Sequence, residues 1–217
     1  MDKNIEILAQ SSLFNGVDIK DIEDGLFYLN PVTKKYKKGE VIILSGTKVT
    51  DVGIVISGKV QIVKEDIRGN RSIIAEVGHS GIFAQALACA RVQHSPVSVI
   101  AQGACEIIFI NFDKIVNAHG SKITGKLIKN MMTLIAQKNI LLNNKLEHIS
   151  KRSIREKLLS YFNELALKAG SRKFALPFSK TSLADYLFID RSAMSRELSA
   201  MQADGIIKFK DNNFELE

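Results

Sequence analysis

Followed for its alternation of apolar and polar positions, the chain divides into three stretches with different periods. From Lys37 onward, short β-branched runs follow one another: VIIL at 41–44, VGIVIS at 52–57, KVQIVKE at 59–65, RSIIAEV at 71–77, VSVIA at 97–101 and CEIIFI at 105–110. Gly39, Gly46, Gly58, the Gly69-Asn70 pair, Gly78, Gly81 and Gly103 punctuate them. Short strands with such regular turns predict an antiparallel barrel or roll. A short helical start precedes it, with Asp18 or Asp21 as candidate caps.

The period becomes helical from Lys122 to Ile149, with Ser121 as a candidate cap and no proline to interrupt it. Ile128, Met132, Ile135, Asn139, Leu142, Leu146 and Ile149 step by four and three alternately, which is the seam of a coiled coil. Asn139 falls at a core-type position, where one polar residue facing its symmetry mate fixes register and a two-stranded state. A second stripe, Leu127, Met131, Leu134 and Leu141, gives the helix another apolar face. One stripe is expected to lie on the roll and the other on the same helix of a second copy, as a parallel homodimer.

The third stretch opens at a polar hinge, Ser150 to Ser153. Ile154, Leu158, Phe162 and Leu165 then line one face of a helix that Gly170 ends, and KFALPF at 173–178 reads as a short strand. Ser179 can cap a helix from Lys180 to Leu187, because its side-chain oxygen satisfies a free amide of the first turn. Phe188 to Asp190 form a connector, Asp190 caps the next helix, and Met194, Leu198 and Met201 give that helix one apolar face. IIKF and FELE, joined by KDNN, close the chain as a hairpin. Two helices across so short a turn, followed by a hairpin, predict a winged helix-turn-helix.

The expected fold class is therefore α+β: an N-terminal antiparallel β-roll, jelly-roll-like, then a long dimerisation helix, then a C-terminal winged helix-turn-helix. Domain limits are expected at 1–120, 121–150 and 151–217.

On the second helix of the pair, the face opposite the apolar stripe carries Arg191, Ser192, Ser195, Arg196 and Ser199. Guanidinium forks bond guanine O6 and N7 together and small hydroxyls reach bases or phosphates, so this face suits a DNA major groove. Lys180, Thr181 and Ser179 are candidate phosphate contacts. A formal charge of +7 permits a polyanionic partner, but acidic residues offset the bases from Lys151 onward, so placement carries the inference.

The remaining chemistry is sparse. No apolar run approaches the roughly 20 residues that span a bilayer. The first residues lack the basic start, apolar core and cleavage site of a signal peptide, so a cytoplasmic protein with no membrane partner is expected. Cys89 and Cys105 form no CxxC pair and are expected to be small buried apolar residues. His79, His94, His119 and His148 are scattered without the close spacing of metal ligands, so no metal site is expected. No nucleophile elbow, zinc-protease or phosphate-loop motif occurs, and no enzyme activity is expected.

KKGEVIILSG followed by VISGKVQIV, and above all DRSAMSRELSAMQADGII, give the chain a resemblance to the Crp/Fnr family of bacterial transcription regulators, over nearly its whole length. The resemblance implies a homodimer that binds double-stranded DNA and engages RNA polymerase. It implies that Arg191 and Arg196 read bases. Ser192 stands where a glutamate is frequent, Ser195 precedes Arg196 as in the Fnr-like branch, and Phe188 stands in the turn where glycine is common. An effector pocket is expected around Gly81, Phe83, Gln85, Ala86, His94 and Ser95. The family's cyclic-nucleotide binders carry Gly-Glu and Arg-Ser pairs there, whereas this chain has Gln85-Ala86 and Ser95-Pro96. A buried phosphate without its arginine loses a charge-assisted bidentate bond, so cyclic AMP is not expected and the effector stays unassigned. With no cysteine at the N-terminus, an iron-sulfur sensor is not expected, and no cofactor is predicted. Haem, with His79 or His94 as axial ligand, is the alternative. The rival from another class is a small-molecule or haem receptor whose winged-helix part makes protein contacts.

Overall fold

The computed structural model describes residues 3–66, 71–117 and 121–217; Gly69, Asn70 and His119 lie outside these. The chain separates into two compact units, Met1–Gln137 and Lys138–Glu217.

The first unit opens with helices α1 (Lys3–Gln10) and α2 (Ile19–Leu29). Asp18 stands at the cap position of α2, yet its side chain makes no cap hydrogen bond. Eight strands follow: β1 (Val32–Tyr36), β2 (Val41–Ile43), β3 (Asp51–Ser57), β4 (Val60–Glu65), β5 (Arg71–Val77), β6 (Ile82–Phe83), β7 (Ser98–Ala101) and β8 (Cys105–Asn111). Between β6 and β7 lies the short helix α3 (Gln85–Cys89), and after β8 come α4 (Phe112–Asn117) and α5 (Thr124–Ser150). The strands form two four-stranded antiparallel sheets, ordered β1-β8-β3-β6 and β2-β7-β4-β5.

One apolar cluster joins the sheets, with Val52, Ile54, Ile108 and Ile110 from one and Val60 and Val99 from the other. The run VGIVI of β3 is buried at every position, because it is an inner strand covered on both faces. Gly53 lies inside that run because the Phe83 ring rests on it; a Cβ there would stand 2.2 Å from the ring. The expected roll is therefore present, with its strands where the β-branched runs stand.

Several local expectations need correction. The first strand begins at Val32, before Lys37, since VTKKY is held in place by pairing with β8. Ser121 does not cap α5: the helix begins at Thr124, and the buried Ser121 hydroxyl has no partner among the described residues. Cys105 is buried, but Cys89 at the end of α3 is exposed.

The two stripes of α5 do not divide cleanly, since Ile128 and Ile135 of the first pack on the roll and Leu141 of the second is exposed. Leu127 and Met131 are buried in the roll cluster, and Ile128, Leu134 and Ile135 pack against its edge. Met132, Leu141, Leu142 and Leu146 stay exposed, as does Asn139.

The second unit contains α6 (Ile154–Ala169), β9 (Lys173–Ala175), α7 (Lys180–Leu187), α8 (Arg191–Ala203), β10 (Ile207–Lys210) and β11 (Asn213–Leu216). Ser153 and Glu156 form a reciprocal capping box at the start of α6, and Gly170 ends it at φ 60°, a left-handed conformation that glycine adopts without a Cβ clash. The last three strands form an antiparallel sheet ordered β10-β11-β9. Leu158 and Phe162 of α6, Leu183 and Leu187 of α7, Met194, Leu198 and Met201 of α8, and Phe214 of β11 share one core.

Candidate nucleic-acid interface

Both helices of the pair start on the caps that their sequences specify. The Ser179 hydroxyl accepts the Ser182 amide at 3.2 Å, and the Asp190 carboxylate accepts the Ala193 amide at 2.8 Å. The Ser192 hydroxyl donates to the same carboxylate at 2.6 Å. Those donors, with Arg196 nearby, hold the Asp190 carboxyl below the ordinary aspartate range.

The connector turns sharply because Phe188 adopts left-handed torsions, φ 53° and ψ 53°. The amide of Ile189 then reaches back to the Ala184 carbonyl at 2.9 Å, closing the helix end. Phe188 remains 71% exposed, and the Lys145 ammonium lies 5.1 Å from its ring centroid and 4.8 Å from that of Tyr186. Cation–π contact thus covers a ring at a position where glycine would leave nothing to cover.

On α8 the apolar stripe is buried while Arg191, Ser192, Ser195, Arg196 and Ser199 are exposed together on the other side. Their groups are not equally available. Arg191 donates to both carboxylate oxygens of Asp185 at 3.3 Å, and the Ser199 hydroxyl donates to the Ser195 carbonyl at 3.1 Å. Arg196 has no ion pair among the described residues. Thr181 is exposed, whereas the Lys180 ammonium sits 4.2 Å from the Phe209 ring centroid, bridging α7 to the hairpin.

Two clusters escaped the sequence reading. Arg155 of α6 donates through Nε to Glu197 at 2.5 Å and pairs through Nη1 with Asp204 at 2.7 Å, and these partners raise its pKa. It clamps the helix that carries the arginines. The seven-residue spacing of the two acids, on one side of a helix, was the available signal. The second cluster centres on His148, buried, with Nδ1 2.8 Å from the Ser160 hydroxyl and Nε2 2.5 Å from Glu164, its ring edge-on to Tyr161. Burial pushes the Tyr161 hydroxyl up to about 12, with Tyr186 and Glu164 adding to the shift.

In the roll, Gly81, Phe83, Gln85 and Ala86 are brought together along β6 and α3, and His94 and Ser95 lie in the loop before β7. Phe83 is a core side chain, edge-on to Phe109 at 6.2 Å. Gln85 and Ser95 are buried, and the Ser95 hydroxyl donates to the Val97 carbonyl at 2.7 Å. His94 and His79 each direct Nδ1 at a backbone carbonyl, Gly46 at 3.1 Å and Ile56 at 2.7 Å. Among the described residues no cluster of three or more metal-ligating side chains occurs, and no helix is long and apolar enough to cross a membrane.

Residues 33–120 match the family described as cyclic nucleotide-binding domain, and residues 156–217 match the Crp-like helix-turn-helix domain. Electron transport regulator A of Shewanella oneidensis is 24% identical over 188 residues, 82% of this chain and 71% of that one. The catabolite activator protein of Thermus thermophilus is similar in structure, with a TM-score of 0.53 at 18% identity over 95% of this chain and 94% of that one. The c-di-GMP-responsive global regulator CLP of Xanthomonas campestris gives a TM-score of 0.53 at 16% identity, over 92% of this chain and 99% of that one. These relatives are regulators rather than enzymes.

Proposed function

The chain belongs to the Crp/Fnr family of transcription regulators, joining a cyclic nucleotide-binding domain to a Crp-like helix-turn-helix, and from that premise we propose a homodimeric, sequence-specific DNA-binding regulator. The observation that carries the reading is the capped α8 helix, whose buried stripe turns Arg191 and Arg196 outward together. In this reading Arg191 and Arg196 contact base edges, with Ser192, Ser195 and Ser199 beside them. Ser179, Thr181 and Lys180 contact phosphates and set register. Ser192 gives no carboxylate acceptor to a cytosine amino group, so the operator differs from that of relatives with glutamate there.

The exposed Met132, Asn139, Leu142 and Leu146 support a dimer seam, completed by Ile128, Ile135 and Ile149, since a long apolar stripe left in water marks a partner surface. Two-fold symmetry then gives an inverted-repeat operator with half-sites about 34–36 Å apart. Working limits of 1–120, 121–150 and 151–217 separate the sensor, seam and DNA-binding parts. RNA polymerase is the proposed protein partner. Any effector around Gly81, Phe83, Gln85, Ala86, His94 and Ser95 is proposed not to be cyclic AMP, because Ser95-Pro96 stands where the family's cyclic-nucleotide binders carry Arg-Ser and the nearby Arg91 is paired with Asp113.

Selection of bound DNA from a random library by the purified full chain tests the reading. An enriched inverted repeat is expected, with affinity falling steeply as salt rises through counterion release. Enrichment of no sequence, or a single unrepeated half-site, would overturn it.

A further inference from the structure

The edges of the two roll sheets leave a cleft between them that the proposed function does not use. β1 is the edge of one sheet and β2 the edge of the other, and with the loop from Leu44 to Asp51 they border a cavity of about 460 Å³. None of the candidate effector residues around β6 and α3 lines it.

Its lining is amphipathic in a particular way. Val32, Val41 and Leu44 are each about half exposed, at 51%, 48% and 56%, and all three line this one cleft together with Phe109. Lys34, Lys48 and Lys114 surround them. None of the three lysines is in an ion pair among the described residues: Lys34 sits 5.8 Å from the Phe109 ring centroid, and Lys114 donates to the Asn30 carbonyl at 3.5 Å. The one acid of the lining, Asp51, already accepts the Asn111 amide at 2.8 Å. Three lysines outside ion pairs, set against the one carboxylate of Asp51, leave the lining net positive beside half-exposed aliphatic side chains, which complements a molecule with an anionic head and an apolar body.

The far wall is built in advance. The Gly46 amide donates to the Ser95 carbonyl at 2.8 Å, the Ser95 amide to Thr47 at 2.8 Å, and the Phe112 amide to Thr50 at 2.9 Å. A wall already held by such bonds costs little ordering when a ligand arrives, and the volume lies within the range of small-molecule sites.

We propose that this cleft binds a small amphipathic carboxylate, its head among Lys34, Lys48 and Lys114 and its aliphatic body on Val32, Val41 and Leu44. Calorimetric titration of the full chain with decanoate, decanol and decyltrimethylammonium, all below micellar concentration, tests it. Decanoate is expected to saturate one site per chain, and the alcohol and the cation to bind at least tenfold more weakly. Lys48→Met with Lys114→Met should weaken decanoate at least tenfold and leave decanol unchanged. In the unaltered protein, decanoate should slow amide exchange in the segment 41–51. The proposal is overturned by unsaturable decanoate binding, by equal affinity for the cation, by an unmoved affinity in the folded double variant, or by exchange protection confined to other segments.

Discussion

The helix pair α7 and α8 and the roll obey the same packing rules but hold their chemistry at different ranges. In the helix pair the contacts that start and end the helices are short in sequence: Ser179 to Ser182, Asp190 to Ala193, Ile189 back to Ala184. In the roll the decisive contacts run between distant strands, as when Phe83 rests on Gly53 or Ser95 holds the loop at Gly46 and Thr47. A surface written in neighbouring residues can present a recognisable face whatever the rest of the chain does. A pocket assembled from remote segments keeps its frame while its lining side chains are exchanged. That is why the outward arginines of α8 are legible in the sequence, while the surroundings of Gln85 and Ser95 are not.

The largest expected effect lies in the core of the C-terminal unit. Phe162→Ala removes a fully buried ring from among Phe174, Phe214 and the α8 stripe, and should cost about 3–5 kcal/mol. Denaturant unfolding followed by probes in each unit should show the loss in the C-terminal unit while the roll transition stays in place; an equal shift of both would mean that the units do not store stability separately. Arg196→Ala is expected to weaken operator binding by about 1–3 kcal/mol and to relax preference at one base pair. Anisotropy titrations on operator and random DNA would check it, and equal losses on both would reduce Arg196 to a phosphate contact.

Ser179→Ala tests how far the local code extends. Losing one cap should destabilise the C-terminal unit by about 0.5–2 kcal/mol, read by urea unfolding, and an unchanged midpoint would show that tertiary packing alone holds α7. The smallest effect concerns protons. The Asp190 carboxyl titrates below its ordinary range, so its contribution is present in full above the unfolded-state pKa and lost as pH falls through the lower folded value. Asp190→Asn keeps a capping oxygen but takes up no proton. The advantage of the unaltered protein over this variant should therefore shrink on acidification below about pH 4, measured as the difference in urea midpoints. Parallel profiles would show that the charge contributes nothing.

By itself the sequence determined the elements whose causes are local. Alternating β-branched runs become strands, the four-and-three spacing becomes α5, and Ser153, Ser179 and Asp190 start the helices that follow them. The outward set on α8 was also readable, because the helical period alone separates Arg191 and Arg196 from Met194, Leu198 and Met201. Tertiary structure decided what depends on partners far along the chain. VTKKY has no apolar alternation and becomes β1 only because Lys34 pairs with Ile107 in β8. Helical spacing put Glu197 and Asp204 on one side but did not name Arg155 as their partner, and nothing in the periodicity showed that Asp185 would hold Arg191 or that the edges of two sheets would leave lysines around an apolar cleft. The physical reason is the reach of each interaction: caps and helical stripes close within a few residues, whereas sheet edges, clefts and clamps exist only after the chain has returned on itself.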